Sequence, residues 1–385
     1  MKLKLLQFIE DHPNDWKDKL KEKPYCIDIK EYDFINPNKD NVATKYYLLS
    51  YDQYESDFSD QIVRECRGLI IRADNYKPVR LSFTKFFNSA EQHASPIDWD
   101  SAKVQEKIDG STISLWNCDD FWHISSSGTF NAFEAMSPIG KSYGEMWMEA
   151  FTNNYGSLTD LEHKLNKDYC YTFELVHPQA QIVVKYDKPY TYHIGTRDMN
   201  TLEELNVDIG VEKPKEYNFT SLDETVKFAE TLKDDKEGFV VVDKNWNRIK
   251  IKGSVYVMLH HLKSQLSYGG ILEVILKGED AEVLSYAPSY KDEFDKVGAL
   301  WNNYINNMRK EFEACVKPIM DIESQKEFAI KLTSMNLKCQ SYAFWARKNK
   351  LYEDNIEQYI RHTMPLDKIK YEIGIRDNQI ITEVR

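Results

Sequence analysis

A short segment in the first third of the chain combines residue types that could do covalent chemistry. It reads VQEKIDGSTISLW and begins at Val104, and its strand-like alternation is interrupted by Lys107, Asp109 and Gly110. A turn uses the glycine and tolerates the aspartate, but it has no need of the lysine. A neutral lysine amine can attack phosphorus, so Lys107 is a candidate nucleophile.

Two further lysines could hold the phosphate that such a nucleophile would attack. Lys250 and Lys252 lie two residues apart in the run RIKIKG, so on a β-strand both side chains project from the same face. Nearby cations and partial burial lower the pKa of a lysine, which is one route to a reactive amine. Arg67, in the run ECRG, would add to the positive field around Lys107. Asp109 would act on that pKa in the opposite direction, so we expect it to orient neighbouring groups.

Two acids in the same part of the chain suit a divalent metal. Glu174 lies in the run FELVHP and Glu237 in the run EGFVV. Mg²⁺ binds phosphate oxygens with few carboxylates and keeps most of its waters, so these two acids would suffice. The sequence has no Walker glycine loop, which favours a site made of lysines and a metal. Taken alone, each feature is explained by a turn or a solvated strand; their occurrence together indicates a site.

Strand patterns dominate the segment that carries these residues, from about residue 25 to residue 255. The predicted strands alternate or are wholly apolar, and they are rich in β-branched and aromatic residues. They cover residues 66–73, 104–116, 170–176, 181–186, 190–196, 237–243 and 248–253. Helices are predicted at 140–155 and 221–235, the second with Ser221 as its cap and Glu224 three residues later.

Helical periods replace the strand patterns after about residue 266. We therefore predict an α+β fold with two domains, an antiparallel-sheet-rich domain over residues 1–265 and a smaller all-α domain over residues 266–385. A length of 385 residues is sufficient for two cores of this size.

Composition limits the classes of protein that the chain could represent. Its net charge is −12, whereas a protein that binds nucleic acid through its overall charge would be basic, so cations must be gathered locally. The six cysteines are scattered without a C-x-x-C pair, which argues against a zinc ribbon or a disulfide framework and fits a reducing cytosol. No apolar run approaches the length of a membrane span, and the first residues do not form a signal peptide. We expect a cytoplasmic protein that has no membrane partner.

These motifs, in this order, resemble the covalent nucleotidyltransferase superfamily, which contains ATP-dependent ligases and capping enzymes. The closest resemblance is to the bacteriophage ATP-dependent RNA ligase 1 family, the tRNA-repair ligase type of T-even phages. It extends from YYLLSY at residues 46–51 to IKIKGSVY at residues 249–256. The helical second domain suits the same family by its layout, and the resemblance implies that this domain contributes to RNA-substrate specificity.

The resemblance implies a role for each matching residue of the first domain. Lys107 would be the nucleophile that takes AMP, within a motif whose Asp109 and Gly110 are also essential. The residues that would contact ATP are Tyr46, Arg67, Lys85, Glu174, Lys250 and Lys252, with the last two on the α-phosphate and Glu174 near the ribose or a metal.

Further matches concern the metal and the ligation step. Glu237 would hold the metal, and Tyr256 would be needed for ligation. A second metal-linked acid, Glu279 or Asp280, would lie early in the helical domain. The chain departs from the family pattern at Ser125–Ser127, where relatives carry lysine.

The activity implied by the resemblance is the joining of RNA ends. Lys107 would attack ATP, aided by Mg²⁺ with Mn²⁺ as a substitute, and form lysyl-AMP. AMP would then pass to a 5′-phosphate RNA end, and a 3′-hydroxyl would displace it. The expected substrate is cleaved tRNA, the expected state is a monomer, and the expected location is the cytoplasm of a phage-infected bacterium. The sequence itself determines neither the natural RNA nor the oligomeric state.

Three alternatives remain open at the level of sequence. A GTP-dependent capping guanylyltransferase or a DNA ligase would share the lysine and the turn, but a β-rich oligonucleotide-binding fold usually follows the core in both. A non-catalytic RNA-binding protein derived from a ligase is the third. It would bind RNA without consuming ATP.

Overall fold

A computed structural model describes residues 3–36, 43–137, 139–233, 235–253, 256–257, 267–286, 288–350 and 355–375. The chain divides into two compact units, Met1–His260 and His261–Arg385. The predicted boundary between residues 265 and 266 lies outside the described residues.

An antiparallel sheet, called sheet I, begins the first unit. Its strands, in spatial order, are β1 (Ile27–Ile35), β2 (Ala43–Tyr51), β3 (Arg67–Arg72) and β4 (Pro78–Arg80). The helices that accompany it are α1 (Lys4–Asp11), α2 (Trp16–Lys21) and α3 (Gln61–Glu65). Apolar side chains from both sets, among them Leu5, Trp16 and Leu49, form one core. The sheet positions Arg67 at the start of β3.

Sheet III carries the lysines predicted to hold phosphate. Its strands are β5 (Phe87–Asn88), β6 (Lys103–Lys107), β12 (Glu216–Tyr217), β13 (Gly238–Val242) and β14 (Arg248–Lys252), in the order β12-β6-β13-β14-β5. The pairing is antiparallel except between β14 and β5. Ile249 and Ile251 enter a core beside helix α6 (Leu222–Ala229), so Lys250 and Lys252 alternate onto the other face.

Sheet II is formed by the part of the sequence between β6 and β12 of sheet III, and it is also antiparallel. Its strands are β7 (Ser111–Cys118), β8 (Phe121–Ser126), β9 (Tyr169–Val176), β10 (Tyr190–Asp198) and β11 (Glu204–Leu205), in the order β11-β10-β9-β7-β8. Helix α4 (Tyr143–Tyr155) shares its core, and the short α5 (Leu158–Glu162) follows. Ser142 and Glu145 form a capping box that fixes the start of α4, three residues later than predicted.

Helices make up the secondary structure of the second unit in its described residues. They are α7 (Tyr268–Lys277), α8 (Asp280–Tyr286), α9 (Lys291–Glu311), α10 (Gln325–Ser334), α11 (Gln340–Lys348), α12 (Ile356–Thr363) and α13 (Leu366–Ile373). A π-helical turn, Phe312–Val316, extends α9, and Trp301 and Tyr342 are buried in the common core. The predicted α+β class, with antiparallel sheets followed by helices, is confirmed. In the part of the chain that the structure describes, no helix has the length and apolar character of a membrane span.

Two predicted elements differ from the structure. Residues 181–186 form an irregular segment and not a strand, because the backbone N–H groups of Val183 and Val184 donate to the Asp109 carboxylate instead of to a neighbouring strand. Helix α6 ends at Ala229, well before the predicted residue 235. Its cap is the predicted Ser221, whose side chain accepts from the N–H of Glu224.

The close approach of β9 to the turn between β6 and β7 requires a glycine. A Cβ on Gly110 would lie 2.3 Å from the backbone oxygen of Leu175, whereas a Cβ on Gly128 would meet no atom within 4 Å. We expect Gly110→Ala to lower the free energy of unfolding by about 1–3 kcal/mol, because backbone must move to accept the methyl group. Gly128→Ala, the matched control, should change it by less than about 0.5 kcal/mol. Urea unfolding measures both, and equal values for the two variants would contradict the packing argument.

Two buried histidines make the fold sensitive to acid. His123 stacks on Trp116 with ring centroids 4.3 Å apart, and burial lowers the pKa of His123, like that of His193 in β10, to about 4. The unfolded chain takes up these protons near pH 6.5 (~6.5 being the ordinary pKa of histidine), so stability is lost as the pH falls below that value toward 4.

We expect each histidine to remove on the order of 2 kcal/mol of stability between about pH 7 and pH 5. His123→Phe keeps a ring against Trp116 and removes one titrating group, so the loss over this range should be smaller by that amount. Urea unfolding at the two pH values measures the difference. An unchanged pH dependence in the variant would show that His123 is not neutral in the folded state.

Candidate active site

The strand register of sheet III brings two of the predicted lysines to either side of a glycine. Gly238 on β13 is paired with Lys107 on β6 and with Lys252 on β14. Its φ is +148°, and a Cβ at this position would lie 2.1 Å from the backbone oxygen of Ile251. The central strand therefore contributes no side chain between the lysines, and the acid directly before it, Glu237, is the group that reaches them.

The carboxylate of Glu237 bridges the two lysines. Its Oε2 lies 2.6 Å from Nζ of Lys107, and its Oε1 lies 3.6 Å from Nζ of Lys252. The side chain of Glu237 is only 3% exposed, compared with 21% for Lys107 and 10% for Lys252. Because water screens buried charges less than surface charges, the attraction within this group is less screened than that of a surface ion pair. Lys107 is nevertheless open enough for a ligand to reach its amine.

A second carboxylate, Glu174, faces the same group from sheet II. It lies on β9, and the hydroxyl of Thr112 on β7 donates to its Oε2 at 3.2 Å. Burial raises the pKa of Glu174 to about 7; the Lys107 ammonium opposes this rise and the Glu237 carboxylate adds to it. Two acids from different sheets therefore share the surroundings of Lys107.

Lys107, Lys252 and Glu174 line a cavity of about 170 Å³, whereas the buried Glu237 is not among its lining residues. The predicted residues that line it are Arg67, Lys107, Glu174, Lys250 and Lys252. The Arg67 guanidinium carbon and the Lys250 Nζ lie 5.2 and 5.8 Å from the ring centroid of Phe86, which also lines the cavity. Such a concentration of cations on a chain of net charge −12 suits a phosphate-bearing ligand.

Asp109 and Tyr256 lie behind the lysine and support it. Oδ1 of Asp109 accepts a hydrogen bond from the Tyr256 hydroxyl at 2.7 Å, and Oδ2 accepts from the N–H groups of Val183 and Val184 at 2.9 and 2.7 Å. The N–H of Asp109 donates to the Tyr186 hydroxyl at 3.0 Å. All these contacts hold the turn that follows Lys107, which supports an orienting role for Asp109. Gly110 is packed against β9, so this packing by itself requires a glycine, whether or not a nucleotide is bound.

Two residues predicted to contact ATP are not among those that line this cavity. Tyr46 is fully buried in sheet I, where its hydroxyl donates to Sγ of Cys118 at 3.2 Å and burial raises its pKa. The Lys85 ammonium donates to Oε1 of Gln53 at 3.0 Å, and it lines a neighbouring cavity. Their contacts with ATP stay predictions.

The remaining predicted residues, in the second unit and in the serine stretch, are not among those that line the Lys107 cavity. Glu279 and Asp280 belong to the second unit, with Asp280 as the first residue of α8, and their metal role stays a prediction. In the serine stretch, the Trp116 indole N–H donates to Oγ of Ser125 at 2.8 Å, and Ser126 bonds to Thr129 at 2.7 Å. These two serines therefore have structural partners.

Sequence reasoning missed several residues that line the cavity, among them Arg248 and Phe86. The signal for Arg248 was available, because Arg248, Lys250 and Lys252 follow one another at every second position of β14 and so share a face. Phe86 could not have been found, since nothing local distinguishes it from the adjacent Phe87, which is buried in β5.

The residues present suit a metal that needs few protein ligands. Among the described residues, no group of three or more His, Cys, Asp or Glu side chains could hold a metal ion. Glu174 and Glu237 supply two carboxylates close enough for one to raise the pKa of the other. A pair of hard oxygen donors that leaves the other positions to phosphates and water matches the coordination of Mg²⁺.

The chain is similar in sequence to RNA ligases. Residues 65–256 match the family model described as RNA ligase, of the phage RNA ligase 1 type. A Rhodothermus phage RM378 protein named RNA ligase is 25% identical, over 72% of this chain and 80% of its own. An Autographa californica nuclear polyhedrosis virus protein named as a bifunctional polynucleotide kinase/RNA ligase is 31% identical over 63% of this chain. The match spans only 38% of the length of that relative.

The solved structures that the chain matches include RNA ligases. An archaeal ATP-dependent RNA ligase has a TM-score of 0.43 at 12% identity, over 83% of this chain and 86% of its own. A Naegleria gruberi RNA ligase with ATP and Mn has a TM-score of 0.33 at 14% identity, over 42% of this chain and 51% of its own.

The family match covers the part of the chain in which the cavity-lining residues lie, from Arg67 to Lys252. It agrees with the resemblance that the motifs of the sequence indicate. Through residues 65–256, the chain belongs to the RNA ligase family of the bacteriophage RNA ligase 1 type.

Proposed function

We propose that this protein is an ATP-dependent RNA ligase that works through a lysyl-AMP intermediate on Lys107. The observation that carries this proposal is the convergence of Lys107 with four further cations on one cavity. Those cations are Arg67, Arg248, Lys250 and Lys252. They provide the charge that a triphosphate requires, and Lys107 provides a nucleophile beside it.

The first step is attack by Nζ of Lys107 on the α-phosphorus of ATP. A nitrogen–phosphorus bond forms, the bond to the β-phosphate oxygen breaks, and pyrophosphate leaves. Attack requires an amine that has lost its proton, and Oε2 of Glu237, 2.6 Å from Nζ, is placed to accept that proton and release it to water. Lys250 and Lys252 lie on the same face of β14 and would stabilise the charge that develops on the α-phosphate.

Glu174 and Glu237 would hold a divalent cation, Mg²⁺ or its substitute Mn²⁺. These two carboxylates repel one another in a buried position, and the positive charge of a metal ion between them would stabilise both. When bound, the metal would neutralise phosphate charge and help orient the triphosphate.

The later steps transfer AMP to a 5′-phosphate RNA end and then join that end to a 3′-hydroxyl with release of AMP. Tyr256, bonded to Asp109 behind Lys107, is the proposed participant in ligation. We assign the choice of RNA, with cleaved tRNA as the first candidate, to the helical domain over residues 266–385. Glu279 or Asp280 there is the proposed second metal-linked acid. The proposed enzyme acts as a monomer within an infected bacterial cell, and the phage origin of one relative supports the cellular location.

Transfer of label from ATP to the protein tests the proposed intermediate. The protein is mixed with Mg²⁺ and ATP labelled at the α-phosphate, then denatured and tested for bound label. We expect labelling of the wild type and none of Lys107→Ala, because the nucleophile is absent. Lys227→Ala is the matched control, since this exposed lysine lies on α6 and lines none of the cavities around Lys107.

Other outcomes of the same experiment would lead to different conclusions. Label that persists in Lys107→Ala would exclude Lys107 as the acceptor. Label from GTP alone would indicate a capping-type guanylyltransferase. No label from either nucleotide, in folded protein free of bound AMP, would favour an RNA-binding protein without catalysis.

Removal of the metal provides a separate prediction. Chelation by EDTA should reduce labelling by about 100-fold or more, because the charge on the triphosphate is then met by lysines and arginines alone. Excess Mg²⁺ or Mn²⁺ should each restore it. Glu237→Gln should need a higher concentration of Mg²⁺ for half-maximal labelling than Lys227→Ala. Labelling that survives EDTA would rule out the metal.

A further inference from the structure

A tryptophan stands at the tip of the turn between β13 and β14. Trp246 has a φ of +63°, and 37% of its side chain is exposed. A bulky residue seldom adopts this left-handed conformation, whereas asparagine tolerates it. The neighbours of Trp246 are Asn245 and Asn247, yet the strained position is occupied by the tryptophan. Such strain is typical of a functional position.

A buried aspartate holds this turn in a fixed shape. Oδ1 of Asp243 accepts hydrogen bonds from the N–H groups of Asn245 and Asn247, both at 2.9 Å. Its Oδ2 accepts from Nδ2 of Asn247 at 3.0 Å, and the N–H of Trp246 donates to the Asp243 carbonyl at 3.0 Å. Only 4% of Asp243 is exposed. The indole is therefore presented by a rigid support, and little entropy is lost when a ligand stacks on it.

Trp246 lines two cavities, of about 230 and 430 Å³, that adjoin the Lys107 cavity. Arg248 is the residue that lines all three cavities. Its guanidinium carbon lies 4.4 Å from the ring centroid of Phe83 and 5.7 Å from that of Trp246, and Glu204 pairs with it at 2.6 Å. A continuous surface thus leads from the nucleophile past Arg248 to the tryptophan.

The charge of this surface is opposite to that of the chain. Together the three cavities are lined by eleven lysines and arginines and by six aspartates and glutamates, whereas the whole chain has a net charge of −12. A polyanion is attracted to such a surface and repelled by the rest of the protein. An exposed aromatic ring beside a positive groove is the arrangement that binds single-stranded nucleic acid.

We propose that Trp246 is a stacking platform for a base of the RNA strand whose end is brought to Lys107. This inference rests on the proposed ligase function and adds the path of the substrate. The base is assigned to RNA and not to ATP, because Trp246 is absent from the residues that line the Lys107 cavity. Stacking does not read hydrogen-bonding edges, so the platform accepts any base.

Binding of a short RNA to variants of the full chain tests the platform. The probe is a fluorescent, 5′-phosphorylated RNA of about 12 nucleotides, followed by anisotropy. We expect Trp246→Ala to bind it about 5- to 100-fold more weakly, and Trp246→Phe to recover most of the affinity because a ring is kept. The control is Phe133→Ala, which removes an exposed ring that lines none of the three cavities and should leave binding unchanged.

Labelling of Lys107 by ATP, measured on the same samples, separates the outcomes. Weaker RNA binding by Trp246→Ala with Lys107 still labelled supports the platform. A loss of labelling that matches the loss of RNA binding would place Trp246 at ATP and overturn the proposal. Equal RNA affinity of Trp246→Ala and the wild type, with labelling intact, would overturn the platform and leave the ligase function standing. A wild type that binds RNA through Trp246 but takes no label would instead refute the ligase function.

Discussion

The active-site region depends on one buried carboxylate that lies between two lysines. Glu237 pairs with Lys107 and Lys252, which come from two strands on either side of β13. Without an acid at this point, the lysines would repel one another where water cannot screen them. The register makes the contact possible, because Gly238 leaves the space between the lysines free of any side chain. Two adjacent residues therefore shape this region: Glu237 balances the charge of the lysines, and Gly238 allows the strands to bring them close to it.

The three sheets of the first unit contribute different chemistry to one cavity. Sheet III supplies Lys107, Lys250 and Lys252, sheet II supplies Glu174, and sheet I supplies Arg67 at the start of β3. Sheet cores behind these strands are apolar and closely packed, so the charged side chains are held by rigid backbone. A site assembled in this way can be strongly positive although the chain as a whole is acidic.

The segment Lys107–Gly110 is held in place mainly by the hydrogen bonds of Asp109. Asp109 is buried and uses both oxygens to fix Tyr256 and the backbone of Val183 and Val184. These hydrogen bonds to a charged acceptor are stronger than neutral ones, and they tie the turn to a segment that has no sheet partner of its own. The segment around residue 183 owes its irregular shape to the same carboxylate.

The sequence by itself determined the features that depend on local periodicity and residue type. The period of two in β14 placed Lys250 and Lys252 on one face, and the same rule would have found Arg248. The tertiary structure alone decided the features that depend on distant partners. The contact of Glu237 with Lys107 joins residues 130 positions apart, and the burial of Tyr46 against Cys118 joins residues 72 positions apart. Likewise, the left-handed conformation of Trp246 follows from the hydrogen bonds of Asp243, because the local sequence offered two asparagines better suited to it.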